Sequence, residues 1–185
     1  MTTTQEKLLT ADDLLRLHSE GVRGELIQGV FCESMASGEE HGEVAAIVIS
    51  TLMEFVRPRR LGRVIGTDSG ILLQRDPDMV REPDVAFISA DKLPIGVGLK
   101  GYFEEPPDLV VEIVSPSDRL ESVFDKACMW VLFGVRLVWV LDPEDRSVDV
   151  FRPGISMTKL TENDSLDGAD VLPGFSCTVS DLFDL

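Results

Sequence analysis

The sequence predicts an α/β (α+β) chain: a central mixed β-sheet flanked by helices, with extra β-hairpin elements towards the N- and C-termini. Three observations predict it. The runs Leu109-Val110-Val111-Glu112-Ile113-Val114 and Val135 to Leu141 are almost unbroken apolar segments of strand length, as expected of strands covered on both faces. Two longer segments, Glu40 to Val56 and Leu120 to Leu132, repeat apolar residues at helical spacing. Turn formers such as Asp142-Pro-Glu-Asp145 stand between such segments, followed at once by Ser147 to Phe151 as an antiparallel partner.

Taken in order, Thr10 with Asp13 three positions later reads as the capped start of a short helix near residues 10 to 20. Glu25-Leu-Ile-Gln-Gly29-Val-Phe-Cys alternates loosely about a glycine, as a hairpin start or a bulged strand does. Positions 44, 47, 48, 52 and 55 form one helix face, which Pro58 is expected to stop. Gly62 to Leu73 reads as one strand kinked near Gly70, Arg75-Asp-Pro-Asp78 as a turn, and Pro83-Asp84 as the lead into the strand Val85 to Ile88. The glycines and prolines of residues 90 to 107 predict a long loop. Asp118 with Glu121 resembles a capping box for a helix whose stripe is Leu120, Val123, Phe124, Ala127, Cys128, Val131 and Leu132, and Gly134 ends that helix. The tail holds short strand-like pieces around Val171. With no internal repeat and no linker, residues 1–185 are expected to form a single domain.

A hydrophobic content of 44% over 185 residues is that of a globular chain with one substantial core. The longest apolar segment, Val44 to Val56, is interrupted by Ser50, Thr51 and Glu54, so no membrane span is expected. Residues 1 to 7 lack the basic and apolar blocks of a secretory signal. Cys32, Cys128 and Cys177 are odd in number and include no Cys-x-x-Cys pair, which speaks against a disulfide framework or zinc knuckle. Cys128 is read as core, and a reducing cytoplasm is the expected location. The net charge of −16 counts against tight nucleic-acid binding through phosphate neutralisation. The one basic cluster, Arg57, Arg59, Arg60 and Arg63, reads first as a solvated arginine-rich loop and second as a phosphate-contacting patch.

Glu112 is the residue that most needs explaining, because an ionised carboxylate in an apolar strand costs several kcal/mol, on the order of a desolvated charge, unless a cation compensates it. Strand alternation puts Val110, Glu112 and Val114 on one face. If Asp84 lies level with Glu112 on a neighbouring strand, two carboxylates that close are tenable only around a cation. Oxygen donors alone favour Mg²⁺ or Mn²⁺, and phosphoryl chemistry follows. Plainer readings stand beside this one: Asp84 as a turn residue, and Glu112 paired with a buried arginine such as Arg136. Lys126, on the flank of the helical stripe near Trp130 and Phe133, is either a snorkelling lysine or a cation held over the sheet to stabilise a pentavalent phosphate. Glu40 and His41 begin the first long helix on its sheet-facing side, as outer ligands, proton carriers or N-terminal caps.

The ordered set Glu25-Leu-Ile-Gln-Gly, His41 leading a helix, Arg81-Glu-Pro-Asp-Val85, Pro107-Asp-Leu-Val-Val-Glu-Ile-Val-Ser-Pro-Ser117, Asp125-Lys126 and Gly-Val-Arg-Leu-Val-Trp-Val-Leu-Asp-Pro143 resembles the Uma2 family over nearly the whole chain. That resemblance implies a restriction-endonuclease-like core of the PD-(D/E)XK type. In it Asp84, Glu112 and the carbonyl of Ile113 hold the metal, and Asp84, Glu112, Lys126 and His41 are the catalytic candidates. Val114 stands where the wider pattern has lysine, and in the Uma2-like variant that role moves to the following helix, where Lys126 stands. The expected function is an Mg²⁺-dependent (or Mn²⁺-dependent) endonuclease-like hydrolase acting on nucleic acid, DNA ahead of RNA. The alternative is a catalytically inactive binding or regulatory module with the same fold. A homodimer is expected from apolar surface on the first hairpin and first helix.

Overall fold

The computed structural model describes residues 8–34, 38–116 and 118–184. They fall into two compact units. The first comprises residues 8–34, Gly70–Glu82 and Leu99–Glu105, and the second residues 38–69, Pro83–Gly98, 106–116 and 118–184.

In the first unit, helix α1 (Ala11–Ser19) starts at Thr10, whose hydroxyl accepts from the Asp13 amide while the Asp13 carboxylate accepts from Thr10, the expected capping box. Strands β1 (Gly24–Ile27) and β2 (Val30–Glu33) form a hairpin. Its two-residue turn places Gln28 and Gly29 at φ 50° and 78°, which glycine accommodates without strain. Strands β4 (Ile71–Gln74) and β5 (Met79–Arg81) complete a sheet of order β2-β1-β5-β4. Ala11, Leu14, Leu26, Leu72 and Val80 are its core.

The second unit contains helix α2 (Glu39–Arg59) and strands β3 (Gly62–Ile65), β6 (Val85–Ser89), β7 (Leu109–Ile113), β8 (Leu137–Asp142), β9 (Ser147–Arg152) and β10 (Ile155–Leu160). The strands form one mixed sheet of order β10-β9-β8-β7-β6-β3, with β7 and β8 parallel and their neighbours antiparallel. Helix α3 (Leu120–Leu132) makes the crossover that parallel strands require. A C-terminal hairpin of β11 (Ser165–Asp167) and β12 (Ser176–Thr178) leads into a 3₁₀ turn at Val179–Leu182. The expected mixed sheet, flanking helices and added hairpins are all present.

Side-chain alternation divides this sheet into two faces. Leu109, Val111, Ile113, Leu137, Trp139, Leu141, Val148 and Val150 pack with Val44, Ala45, Val48, Leu52 and Val56 of α2 in the main core. Val110, Glu112, Val138 and Val140 therefore take the other face, against which α3 packs. Burial along every strand from β6 to β8 explains their unbroken apolar runs.

Four local expectations are corrected. Gly62 to Leu73 is two strands in two different sheets, β3 and β4, because the chain turns at residues 66–70 and each half finds its own partner. Pro58 lies inside the last turn of α2, which ends only at Arg60 in the left-handed conformation. A proline's missing N–H and ring affect the turn preceding it, so Arg59 still follows in the helix before the cap at Arg60. Asp118 is not a helix cap: its carboxylate accepts from the Ser115 amide, and α3 begins after Arg119 with no side-chain cap. The buried face of α3 is Val123, Ala127 and Trp130, whereas Cys128 is exposed and Leu132 is 83% exposed.

Candidate active site

Asp84 stands immediately before β6, after Pro83, whose fixed φ leads the chain into the strand. The β6–β7 pairing ends with Val85 opposite Val111, two residues short of Ile113. At that open end the Ile113 amide donates to Asp84 Oδ2 at 2.7 Å. In an extended strand the N–H and C=O of one residue point to the same edge, so the Ile113 carbonyl faces the side on which Asp84 stands. His41 Nε2, from the first turn of α2, also meets Asp84 Oδ2, at 3.1 Å. Both contacts use Oδ2, and among the described residues Oδ1 meets no hydrogen-bond or ion-pair partner.

Glu112, one residue before Ile113, points to the α3 face and is 4% exposed. The Trp130 indole N–H donates to Glu112 Oε1 at 2.6 Å, and Lys126 Nζ lies 3.0 Å from Oε2. Lys126 and Trp130 are one helical turn apart, so α3 presents both donors to the same carboxylate. The structure thus joins all five sequence-predicted residues: His41 to Asp84, Asp84 to the Glu112–Ile113 backbone, and Glu112 to Lys126.

Burial pushes the Glu112 carboxyl up from its ordinary 4.5 to about 7; the Lys126 ammonium pulls it down and the Asp84 charge pushes it further up. The hydrogen bond to Asp84 raises the proton affinity of His41 above its ordinary value, against the opposing effect of burial. A proton on the ring is thereby stabilised next to the acid.

Other candidates lie elsewhere. Arg136 pairs with Asp170 at 2.5 Å and stands 3.6 Å from Asp108, not with Glu112. Glu40 is exposed, and α2 has no side-chain cap, so His41 spends its ring on Asp84 rather than on the helix end. Arg59 covers the Phe55 ring at 4.1 Å, and Arg63 donates to the carbonyl of Pro94 at 2.8 Å. The helix end that carries Arg59 is about 27 Å from His41 at 1.5 Å rise per residue. Among the described residues, no three His, Cys, Asp or Glu side chains form a metal-holding group. The donors available here are two carboxylates and a main-chain carbonyl, a hard-oxygen set that suits Mg²⁺ or Mn²⁺. Trp130 was missed as a site residue; its signal was the four-residue spacing from Lys126 and the rule that a buried indole N–H finds an acceptor.

The family model described as "Uma2: Putative restriction endonuclease" matches residues 11–180. The chain belongs to the Uma2 family. A solved structure titled as a "putative nuclease belonging to DUF820" from Anabaena variabilis ATCC 29413 superimposes with a TM-score of 0.82. At 20% identity the alignment covers 95% of this Uma2 chain and 97% of the other, a likeness of fold. No curated protein matches the chain. Among the described residues no helix of this Uma2 chain is long and apolar enough to cross a membrane.

Proposed function

We propose that this chain is an Mg²⁺-dependent endonuclease-like phosphodiester hydrolase, with Mn²⁺ able to substitute, acting on nucleic acid and on DNA ahead of RNA. The observation that carries the reading is the junction of Asp84, Glu112 and Lys126 at one open strand end, with Glu112 buried and its proton affinity raised. Asp84 Oδ1, the Glu112 carboxylate and the Ile113 carbonyl are the ligands for the ion. When bound, a divalent cation activates water and neutralises charge on the phosphodiester. Lys126 offers its ammonium to the negative charge that develops as the P–O bond to the leaving oxygen breaks. His41 holds Asp84 in place through Oδ2 and carries a proton beside the reacting centre.

The family's description supports a DNA substrate. A net charge of −16 means that affinity comes from the site and its ion rather than from a basic surface, so binding should depend weakly on salt. Three free cysteines suit a reducing cytoplasm. Ile27 and Val30 on the first hairpin, 36% and 54% exposed, support a homodimer, which light scattering tests.

The deciding assay incubates plasmid and single-stranded DNA with Mg²⁺ or Mn²⁺. Wild type nicks the DNA and Asp84→Asn and Glu112→Gln do not; equal nicking by all three refutes the reading. One observation favours a second reading, an inactive nuclease-fold binding module: both Glu112 oxygens are already engaged by Trp130 and Lys126. Calorimetry with Mn²⁺ separates the two, since a module of that kind takes up no ion.

A further inference from the structure

We infer that Trp130 is a positioning residue of this site: its indole N–H fixes the plane of the Glu112 carboxylate so that the pair Glu112–Asp84 receives a divalent cation. The inference rests on the proposed hydrolase reading and concerns a residue which that reading does not use.

A glutamate carboxylate is a broad, nearly two-fold rotor about its last torsion, so burial alone does not orient it. Lys126 cannot orient it either, because an ammonium is a point charge with three rotatable donors on a flexible stem. Trp130 has one N–H in one rigid direction, it is fully buried, and it meets Oε1 at 2.6 Å while Lys126 takes Oε2. The charge and the direction are thus supplied by different residues. The molecule contains its own control: Trp139, stacked with Phe175 on the opposite face of the sheet, has a buried Nε1 without a hydrogen-bond partner. A buried indole in this fold does not automatically find a carboxylate.

Trp130→Phe keeps an aromatic ring on the buried face of α3 and deletes only the donor. Freed from it, the Glu112 carboxylate can turn both oxygens to Lys126, and that ion pair competes with the cation. Outer-shell partners of ligands are worth about 10- to 100-fold in metal affinity, so the variant should bind Mn²⁺ weaker by roughly that factor. A residue that only packs would lower the melting temperature and leave Mn²⁺ affinity unchanged.

The experiment uses the full chain with Mn²⁺ calorimetry on wild type and Trp130→Phe, and indole ¹⁵N–¹H spectra of wild type titrated with Mg²⁺ alone. The expected result is weaker Mn²⁺ binding by the variant, and a Trp130 indole signal that moves with Mg²⁺ while that of Trp139 stays. Equal Mn²⁺ affinity in a folded variant overturns the inference and leaves the hydrolase reading intact. A Trp130 signal that ignores bound Mg²⁺ does the same, and needs no variant to fold. Wild type that takes up neither ion ends both.

Discussion

Glu112→Gln should make this protein more stable and less active, and the gain should depend on pH. With a folded value of about 7 against an ordinary 4.5, the Glu112 carboxyl is protonated more readily in the fold than in the unfolded chain. A raised acid lowers stability: the cost is absent below about pH 4.5, grows as pH rises, and is complete above about pH 7. At 1.36 kcal/mol per pH unit the difference is on the order of 3 kcal/mol. Glutamine mimics the neutral form and escapes this cost, but its amide puts a donor towards Lys126 or Trp130, which costs about 1 kcal/mol. A net gain of about 2 kcal/mol at pH 8 remains, or roughly 4–8 °C in melting temperature for a chain of this size.

The assay is thermal unfolding of both proteins in EDTA from pH 4.5 to 8, with nicking of plasmid in Mg²⁺ measured alongside. The variant should melt slightly below wild type at the acid end, by the roughly 1 kcal/mol of its misplaced amide, cross it as pH rises, and melt above it at pH 8, while being unable to nick. If the variant is the less stable protein at pH 8, by the 3–5 kcal/mol or so of a broken buried pair, Glu112 and Lys126 are a net stabilising ion pair and the reasoning fails.

Lys126→Met, which keeps the stem and removes the charge, should abolish nicking. It should also lose about 2 kcal/mol at pH 8, and much less at pH 5 where Glu112 holds a proton; equilibrium denaturation at the two pH values checks it. Asp149, 3% exposed with Oδ1 unpartnered, has its carboxyl raised mainly by burial. Asp149→Asn should therefore raise the melting temperature at neutral pH, by an amount that vanishes as the buffer is acidified below the ordinary aspartate range. Gly62→Ala would place a Cβ 2.1 Å from the Ile88 carbonyl oxygen in the β3–β6 pairing, and should cost about 1–3 kcal/mol as β3 is pushed off, visible in urea midpoints.

The elements most legible in the sequence were those whose local pattern and tertiary setting agree. Leu109–Ile113 and Leu137–Asp142 are covered on both faces, so composition alone marked them as central strands. Thr10 with Asp13 and the segment around Gly29 depend only on neighbouring residues: the capping box formed as read, and of the two readings left open at Gly29 the hairpin is the one that formed. What stayed hidden depends on partners distant in sequence. No property of Gly62 to Leu73 shows that β3 joins β6 while β4 joins β5. The buried face of α3 was misplaced because apolar residues were counted towards the core, yet Leu120 and Leu132 face water. The helix instead buries Val123, Ala127 and Trp130, and in that orientation Lys126 and Trp130 both meet Glu112. Glu112 was found because a carboxylate breaks an apolar run, whereas Trp130 looked like any other core aromatic.

Lys126 reaches Glu112 from helix α3 and not from the strand that carries Glu112. Val114, two residues after Glu112, lies one residue past the end of β7, and its amide donates to the Leu141 carbonyl of the neighbouring β8. A lysine there would have to reach the carboxylate along the strand. From α3, which packs on the same face, Lys126 Nζ arrives 3.0 Å from the carboxylate. The helix also carries Trp130, so it delivers a charge and a directed hydrogen bond to Glu112 as one rigid piece. Lys126 moved to position 114, as Lys126→Met combined with Val114→Lys, should then leave Trp130 in place but recover little nicking. Full recovery would show that the charge alone matters and its direction of approach does not.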